Sequence, residues 1–354
     1  MAGWRGSAGC RHTASALAAG VAAVLGAAGC VSSVPSPVTP AGQSGSPPAG
    51  PQTAAPAADT GGRLIAPLTG LTASAAAAAR PAVALVVSGP HPAGLGSADV
   101  VFEEIPAPAV RYIAVFQSRN AATVGPVTST RPADGMALSV LHPLTGYDGG
   151  SAGFLDVLHS TKIVDAGFSG HRSLYRSAPG RVTASTAAIE HVAPDTAPPP
   201  LLEYQGEPGL GDQLASTGVR RISWLRVAAP GRRTQAWAYS SRTRRWTLTS
   251  GGPRVTISNL VIQHVAYKQV FQSHRYRIMV PSARVIGSGR VLAVTGSGAR
   301  GRAGQTGEAA AGTWSKPGLA DVTNFLDGAD LPMAFRPGPT WIILAPKGTR
   351  VDTG

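Results

Sequence analysis

The sequence predicts an α+β protein, with a mixed N-terminal α/β domain at residues 63–212 and a smaller, mainly β C-terminal domain at 213–354. Three observations carry this expectation. Runs rich in β-branched residues alternate with short helix signals up to about residue 160. From Arg221 onward almost every ordered-looking segment favours strand. The charge balance also changes sign between the two parts: 9 basic and 12 acidic residues from Arg63 to Asp212, against 20 basic and 5 acidic from Gln213 to Gly354. A chain of 354 residues has room for about two domains.

In the first part, Ala82–Val87, Asp99–Ile105 and Tyr112–Gln117 read as strands, and Asp134–Leu141 and Ala152–Leu158 as short helices. The Pro-rich stretch Ala193–Leu201 reads as a loop. In the second part the expected strands are Arg221–Val227, Gln235–Tyr239, Trp246–Thr249, Val255–Val270, Tyr276–Val280, Val291–Thr295 and Trp341–Leu344.

The first 30 residues have the layout of an export signal. Arg5 and Arg11 precede an apolar run from about Thr13 to Ala28, followed by Gly29 and Cys30, with no acidic residue. Ala27-Ala28-Gly29-Cys30 resembles the bacterial lipobox, in which the cysteine receives a diacylglyceryl group. Cys30 is therefore the expected lipid attachment site. Residues 31–62 are mostly Pro, Ala, Gly, Ser, Thr and Gln with one charge, Asp59, and read as a disordered tether. As a random coil, such a segment spans roughly 30 Å. Cys10 and Cys30 are the two cysteines of the chain, so neither a disulfide nor a thiolate metal site is expected in the folded part.

No acidic residue occurs between Asp212 and Glu308. A surface of that composition attracts polyanions. For an exported, tethered protein those are anionic headgroups, phosphorylated wall polymers or acidic glycans, and nucleic acid is not an expected partner.

Several motifs bear on chemistry. Asp148-Gly149-Gly150-Ser151 precedes an expected helix; Ser151 is placed to cap it while the glycine N–H groups face an anion. Arg131 is positioned to complement such a site or, alternatively, to pair with Glu103 or Glu104 in the sheet. Glu104 and Arg111 complete the ligand-binding candidates. Gly149-Gly150-Ser151-Ala152-Gly153 also fits G-x-S-x-G, with Asp165 and His171 following in hydrolase order, but at spacings too short for an α/β-hydrolase. Glu103 and Glu104 are adjacent, so on a strand they point to opposite faces and cannot share one acid/base task.

Gly296–Gly301 fits G-x-G-x-x-G but is not followed by a helix pattern, and it reads as a loop. The histidines have no metal-ligand spacing, and neither cofactor nor metal is expected. Trp224, Trp237, Tyr239 and Trp246, interleaved with Arg226, Arg242, Arg244 and Arg245, form either a stacking surface or the core side of a hairpin.

An ordered series of motifs runs through the body: PLTGL (67–71), RPAVALVVSGPHPAGLGSADVVFEE (80–104), RYIAVFQS (111–118), GPVTSTRP (125–132), DGGSAG (148–153), NLVIQ (259–263), GTWSK (312–316) and PGPTWIILAP (337–346). With these motifs the chain resembles the YerB-like lipoproteins of Gram-positive bacteria. It departs from their pattern at Ser88-Gly89, where Asp-Asn is usual, and at Pro179-Gly180-Arg181, where Pro-His-Asn is frequent. The resemblance implies a membrane-anchored envelope protein with an N-terminal α/β and a C-terminal β-rich domain, and it supplies no mechanism. The expected function is binding or scaffolding of an anionic envelope ligand at the extracytoplasmic face; the alternative is an envelope hydrolase acting on a wall polymer.

Overall fold

The Val100-Val101-Phe102 run and residues 341–345 of the strand Thr340–Ala345 are apolar at consecutive positions, which suits strands covered on both faces. They lie side by side, parallel, at the middle of an 11-stranded mixed sheet. The computed structural model describes residues 64–105, 110–192, 196–204, 218–273, 275, 277–296 and 306–354. The signal segment, Cys30, the tether and the 212/213 boundary lie outside the described residues, as do residues 193–195 of the Pro-rich stretch and 297–301 of the glycine motif.

The helix α1 (Ala75–Ala79) leads into β1 (Val83–Ser88), β2 (Val100–Glu104) and β3 (Arg111–Phe116). Strand β3 pairs antiparallel with both β1 and β2. After α2 (Pro132–Leu138), β4 (Leu144–Gly146) joins β1 in parallel. After α3 (Ala152–His159), the short β5 (Val164–Asp165) closes that edge. On the other side of β2 come Thr340–Ala345, then Asn259–His264, Gly287–Thr295, Gly307–Lys316 and Asn324–Asp327. Both halves of the sequence therefore contribute to one sheet, and the described residues belong to one compact unit. Strand accounts for 45% and helix for 13%, a balance further toward β than the α+β expectation.

Several strands differ from expectation; Arg221–Val227, for one, is divided between Arg220–Ile222 in the large sheet and Trp224–Ala228 in the five-stranded sheet. Val255–Val270 is not one run: it contains Thr256–Ile257, Asn259–His264 and the start of Tyr267–Ser273. The ten-residue strand Gly307–Lys316 was not expected, because its Gly-Glu-Ala-Ala-Ala-Gly start has low β propensity. Pairing with Gly287–Thr295 along that strand's whole length makes it a strand.

Successive residues of a strand face opposite sides, and the two faces of the sheet carry different layers. Val101, Tyr112, Leu260, Ile262, Trp341 and Ile343 face a five-stranded antiparallel sheet, whose Leu225, Val227, Trp237, Trp246 and Leu248 complete that core. Trp341 meets Tyr112 and Trp237 edge-on, with ring centroids 5.6 and 6.1 Å apart. Trp237 and Trp246 are thus core residues; Trp224 is exposed, with the Arg226 guanidinium 5.4 Å from its ring centroid. On the opposite face, Val100, Phe102, Ile113, Val115, Ile342 and Leu344 pack with Leu138 and Leu141.

Buried Asn259 ties the middle of the sheet to its surroundings. Its amide donates to Arg336 O at 2.9 Å and Thr340 Oγ1 at 3.0 Å, while its Oδ1 accepts from Thr295 Oγ1 at 2.7 Å and Arg336 N at 3.2 Å. All the amide's polar capacity is used, as burial requires.

Beneath α2 lies a buried ionic cluster. Arg111 is the cross-strand partner of Glu104 and bonds its Oε2. The same guanidinium donates to Asp134 Oδ2 at 2.7 Å and Ser129 O at 2.8 Å. Asp134 in turn accepts from Arg131 N at 2.8 Å and Thr130 Oγ1 at 3.2 Å, which fixes the start of α2. Arg111 thus bridges two carboxylates that are nearly inaccessible, with Arg131 3.8 Å from Glu104 as a second cation. Removing Arg111 leaves uncompensated buried charge, which costs about 3–5 kcal/mol. Urea unfolding of Arg111→Met is expected to show a loss of about that size, with most of it recovered when Glu104→Gln and Asp134→Asn are added; a loss below about 1 kcal/mol would show that the cluster does not hold the sheet to α2.

Candidate functional site

The sequence candidates divide into two groups. Glu104, Arg111 and Arg131 converge with Asp134 in the cluster under α2, where Arg131 Nη1 stands 3.8 Å from Glu104 Oε2 and donates to Pro281 O at 3.1 Å. Of the two readings for Arg131, this geometry supports pairing in the sheet. The Asp148–Ser151 loop instead runs beside Thr128–Thr130 through backbone bonds: Asp148 N to Thr128 O at 2.9 Å, and Thr130 N to Gly149 O at 3.0 Å. Gly149 adopts φ +80°, a left-handed conformation that favours glycine, and Gly150 lies so close to Thr130 that a Cβ would stand 2.9 Å from its methyl. Ser151 occupies the N-cap of α3 but receives Phe154 N and Leu155 N through its carbonyl, and its hydroxyl makes no capping bond. Asp165 bonds His159, at 3.1 Å, rather than His171. His159 also meets the Tyr147 hydroxyl at 3.3 Å.

A different site lies on the other face of β2. Alternation turns Glu103 away from α2 and toward the five-stranded sheet, at the floor of a cleft of about 640 Å³ between the two sheets. Ile105, Val110 and Tyr112 form one wall. Val227, Ala229 and Gln235 form the other, and the loops carrying Arg232–Arg233 and Thr249–Gly252 frame the opening together with Pro90 and His91. Gly251 adopts φ +86°, and a Cβ there would fall 2.4 Å from Thr234 O; this position needs glycine for the two framing loops to touch.

Glu103 is only 1% exposed, and among the described residues no cation is bonded to it. Its Oε1 accepts from Gln235 Nε2 at 2.5 Å and its Oε2 from Trp341 Nε1 at 2.7 Å. Gln235 is itself oriented by Trp237, whose Nε1 donates to Gln235 Oε1 at 3.3 Å. Burial pushes the Glu103 carboxyl up, the Trp341 and Gln235 hydrogen bonds and the charge of Arg232 pull it down, and the balance leaves it at about 7. Burial also raises Tyr112, with the neighbouring Glu103 adding to the effect. A carboxyl poised near neutrality in a cleft with a cation at its edge can give or take a proton there, and its charge responds to any ion that enters.

Gln235, Trp341 and Arg232 were not among the expected site residues. Adjacent carboxylates inside an otherwise apolar strand were the available signal, since a charge on a doubly covered strand must be paired or must take up a proton.

A raised carboxyl favours the folded state while it is protonated. That contribution is complete below the ordinary value of 4.5 and is lost as pH rises through about 7. The shift corresponds to about 3 kcal/mol. The stability of Glu103→Gln relative to the unsubstituted protein is therefore expected to rise by about that amount between pH 4.5 and 8, measured by chemical denaturation across the range. A difference that stays flat would mean that Glu103 ionises normally.

Comparisons with known proteins agree with this architecture. Residues 68–198 match the family described as protein of unknown function (DUF3048), N-terminal domain, and residues 225–342 match its C-terminal domain. A Bacillus subtilis (strain 168) protein, YerB, whose name gives it provisionally as a lipoprotein, is 43% identical over 79 residues. That stretch is 21% of this chain and spans about a quarter (24%) of the relative. The crystal structure of YerB protein from Bacillus subtilis superposes with a TM-score of 0.63 at 20% identity, covering 82% of this chain and 100% of the other, which shows a shared fold. Matched over both halves of its body, the chain belongs to the DUF3048 family of YerB-like proteins.

Proposed function

We propose that this chain is an envelope lipoprotein, held at the extracytoplasmic face through an acylated Cys30, that binds an anionic group of an envelope component in the Glu103 cleft. The observation that carries the reading is the convergence of Arg232, Arg233 and the near-neutral Glu103 around one cleft between the two sheets. The arginines attract an anion, and a protonated Glu103 donates a hydrogen bond to it. The excess of basic residues after Gln213 raises the local concentration of such ligands. The lipoprotein designation of the Bacillus relative supports the membrane attachment. Carboxylates and phosphates both satisfy the chemistry. The hydrolase alternative has less support, because Asp165 is engaged by His159 and the paired carboxylates Glu104 and Asp134 are buried around Arg111.

An incoming anion and an ionised Glu103 repel, so binding weakens as pH rises through about 7. The suitable probe is glycerophosphoglycerol, a phosphodiester whose own charge is constant over this range. Followed by NMR, it is expected to shift the side-chain N–H signals of Gln235, Trp341 and Arg232, and to lose up to about tenfold in affinity between pH 6 and 8. Arg232→Gln with Arg233→Gln should weaken binding at every pH, whereas Glu103→Gln should remove the pH dependence. Shifts located elsewhere, or affinity indifferent to both arginines, would overturn the assignment.

A further inference from the structure

Residues Tyr267–Ser273 and Ile278–Ala283 form a two-stranded sheet separate from the two large ones. An isolated hairpin is marginal in water, and this one is held at its base. The Tyr267 hydroxyl donates to Leu344 O at 2.8 Å, Arg131 donates to Pro281 O at 3.1 Å, and Arg284 N bonds Ala266 O at 2.8 Å. Val280 and Ala283 are buried.

The far end has the opposite character. Phe271 is 40% exposed, and Ile278 and Met279 are each 46% exposed. Phe271 and Met279 are direct cross-strand partners, so they share a face, while Ile278 alternates to the other. Large apolar side chains thus emerge on both faces of the same tip. A surface used only to cover the protein's own core would not show this pattern, and contiguous exposed apolar groups mark interaction sites.

Charge identifies the partner. Lys268, Arg275 and Arg277 are exposed on this hairpin, Arg284 and Arg290 follow it, and the sequence has no acidic residue between Asp212 and Glu308. A second copy of the chain meeting it through the same hairpin would bring like charges together. Apolar side chains ringed by cations instead match an anionic bilayer, in which the aliphatic groups enter the acyl boundary and the cations stay among the headgroups.

We propose that the paired strands Tyr267–Ser273 and Ile278–Ala283 form a membrane-docking element that inserts Ile278 and Met279 into an anionic phospholipid surface. It rests on the reading that the chain resides at a bilayer, but it requires neither the acyl group on Cys30 nor the Glu103 cleft. Docking would add a second attachment to the lipid, and two weak attachments together hold a protein more firmly than either alone.

The test uses the chain from residue 30 with Cys30→Ser, so that no acyl chain contributes, in co-flotation with vesicles of equal parts phosphatidylglycerol and phosphatidylcholine or of phosphatidylcholine alone. The expected result is binding to the anionic vesicles only, weakened by salt. Ile278→Ser with Met279→Ser, both exposed positions that leave the core intact, should lower partitioning tenfold or more, and Lys268→Gln and Arg277→Gln by about fivefold each. A tryptophan placed by Ile278→Trp should shift its emission to shorter wavelength on mixing with the anionic vesicles. Binding unaffected by the apolar pair would mean headgroup attraction without insertion and would overturn the proposal. So would self-association, or capture of a wall glycan, that depends on Ile278 and Met279 while vesicles are not bound. Loss of vesicle binding with phosphodiester binding intact would sink the docking element alone, because the two readouts use different residues.

Discussion

The parallel pairing of Val100–Glu104 with Thr340–Ala345 is the contact on which the rest depends. It joins segments about 240 residues apart in the sequence and turns two family segments into one continuous sheet. Without it, neither segment would bury its central strand on both sides. It also settles the direction of each side chain on β2. Register places Glu103 opposite Ile343 and Glu104 opposite Leu344, so Glu103 emerges beside Trp341 and Glu104 points toward α2.

The two neighbouring carboxylates show two solutions to one problem. Burying an ionised group is costly unless it is paired or can take up a proton. Glu104 is paired, because Arg111 lies opposite it on β3 and reaches Asp134 as well. Glu103 has hydrogen-bond donors but, among the described residues, no bonded cation, so burial raises its proton affinity instead. The first solution fixes structure: Asp134 caps the start of α2 through Arg131 N, and Arg111 joins helix to sheet. The second leaves a group whose charge can still change, placed where the framing loops leave an opening. Stability and responsiveness thus occupy opposite faces of a single strand.

Much of this was legible residue by residue. The β-branched runs of β1 to β3 pack on both faces as their composition requires, and α2 and α3 begin within two residues of where their patterns place them. The opposite directions of Glu103 and Glu104 follow from strand geometry alone. What could not be read was long-range pairing. The charge contrast around residue 212 suggested separation, whereas backbone hydrogen bonding across β2 is indifferent to surface charge. Gly307–Lys316 is a strand because its neighbour supplies a full ladder, not because alanine and glycine favour one. The cleft shares this origin: Gln235 and Trp341 reach Glu103 from 132 and 238 residues away, and no local pattern records those contacts. Asp134 was hidden for the opposite reason, since an acid in the first turn of a helix is explained by capping alone.

The most direct measurement is an NMR titration of the glutamate side-chain carboxyl carbons in the protein with uniformly labelled glutamate, assigned by comparison with Glu103→Gln. A buried, hydrogen-bonded and cation-poor Glu103 predicts one resonance with a midpoint near 7 that disappears in the variant. A Glu103 midpoint near 4.5, the ordinary value, would contradict the account, because it would place that carboxyl in water rather than beneath the cleft.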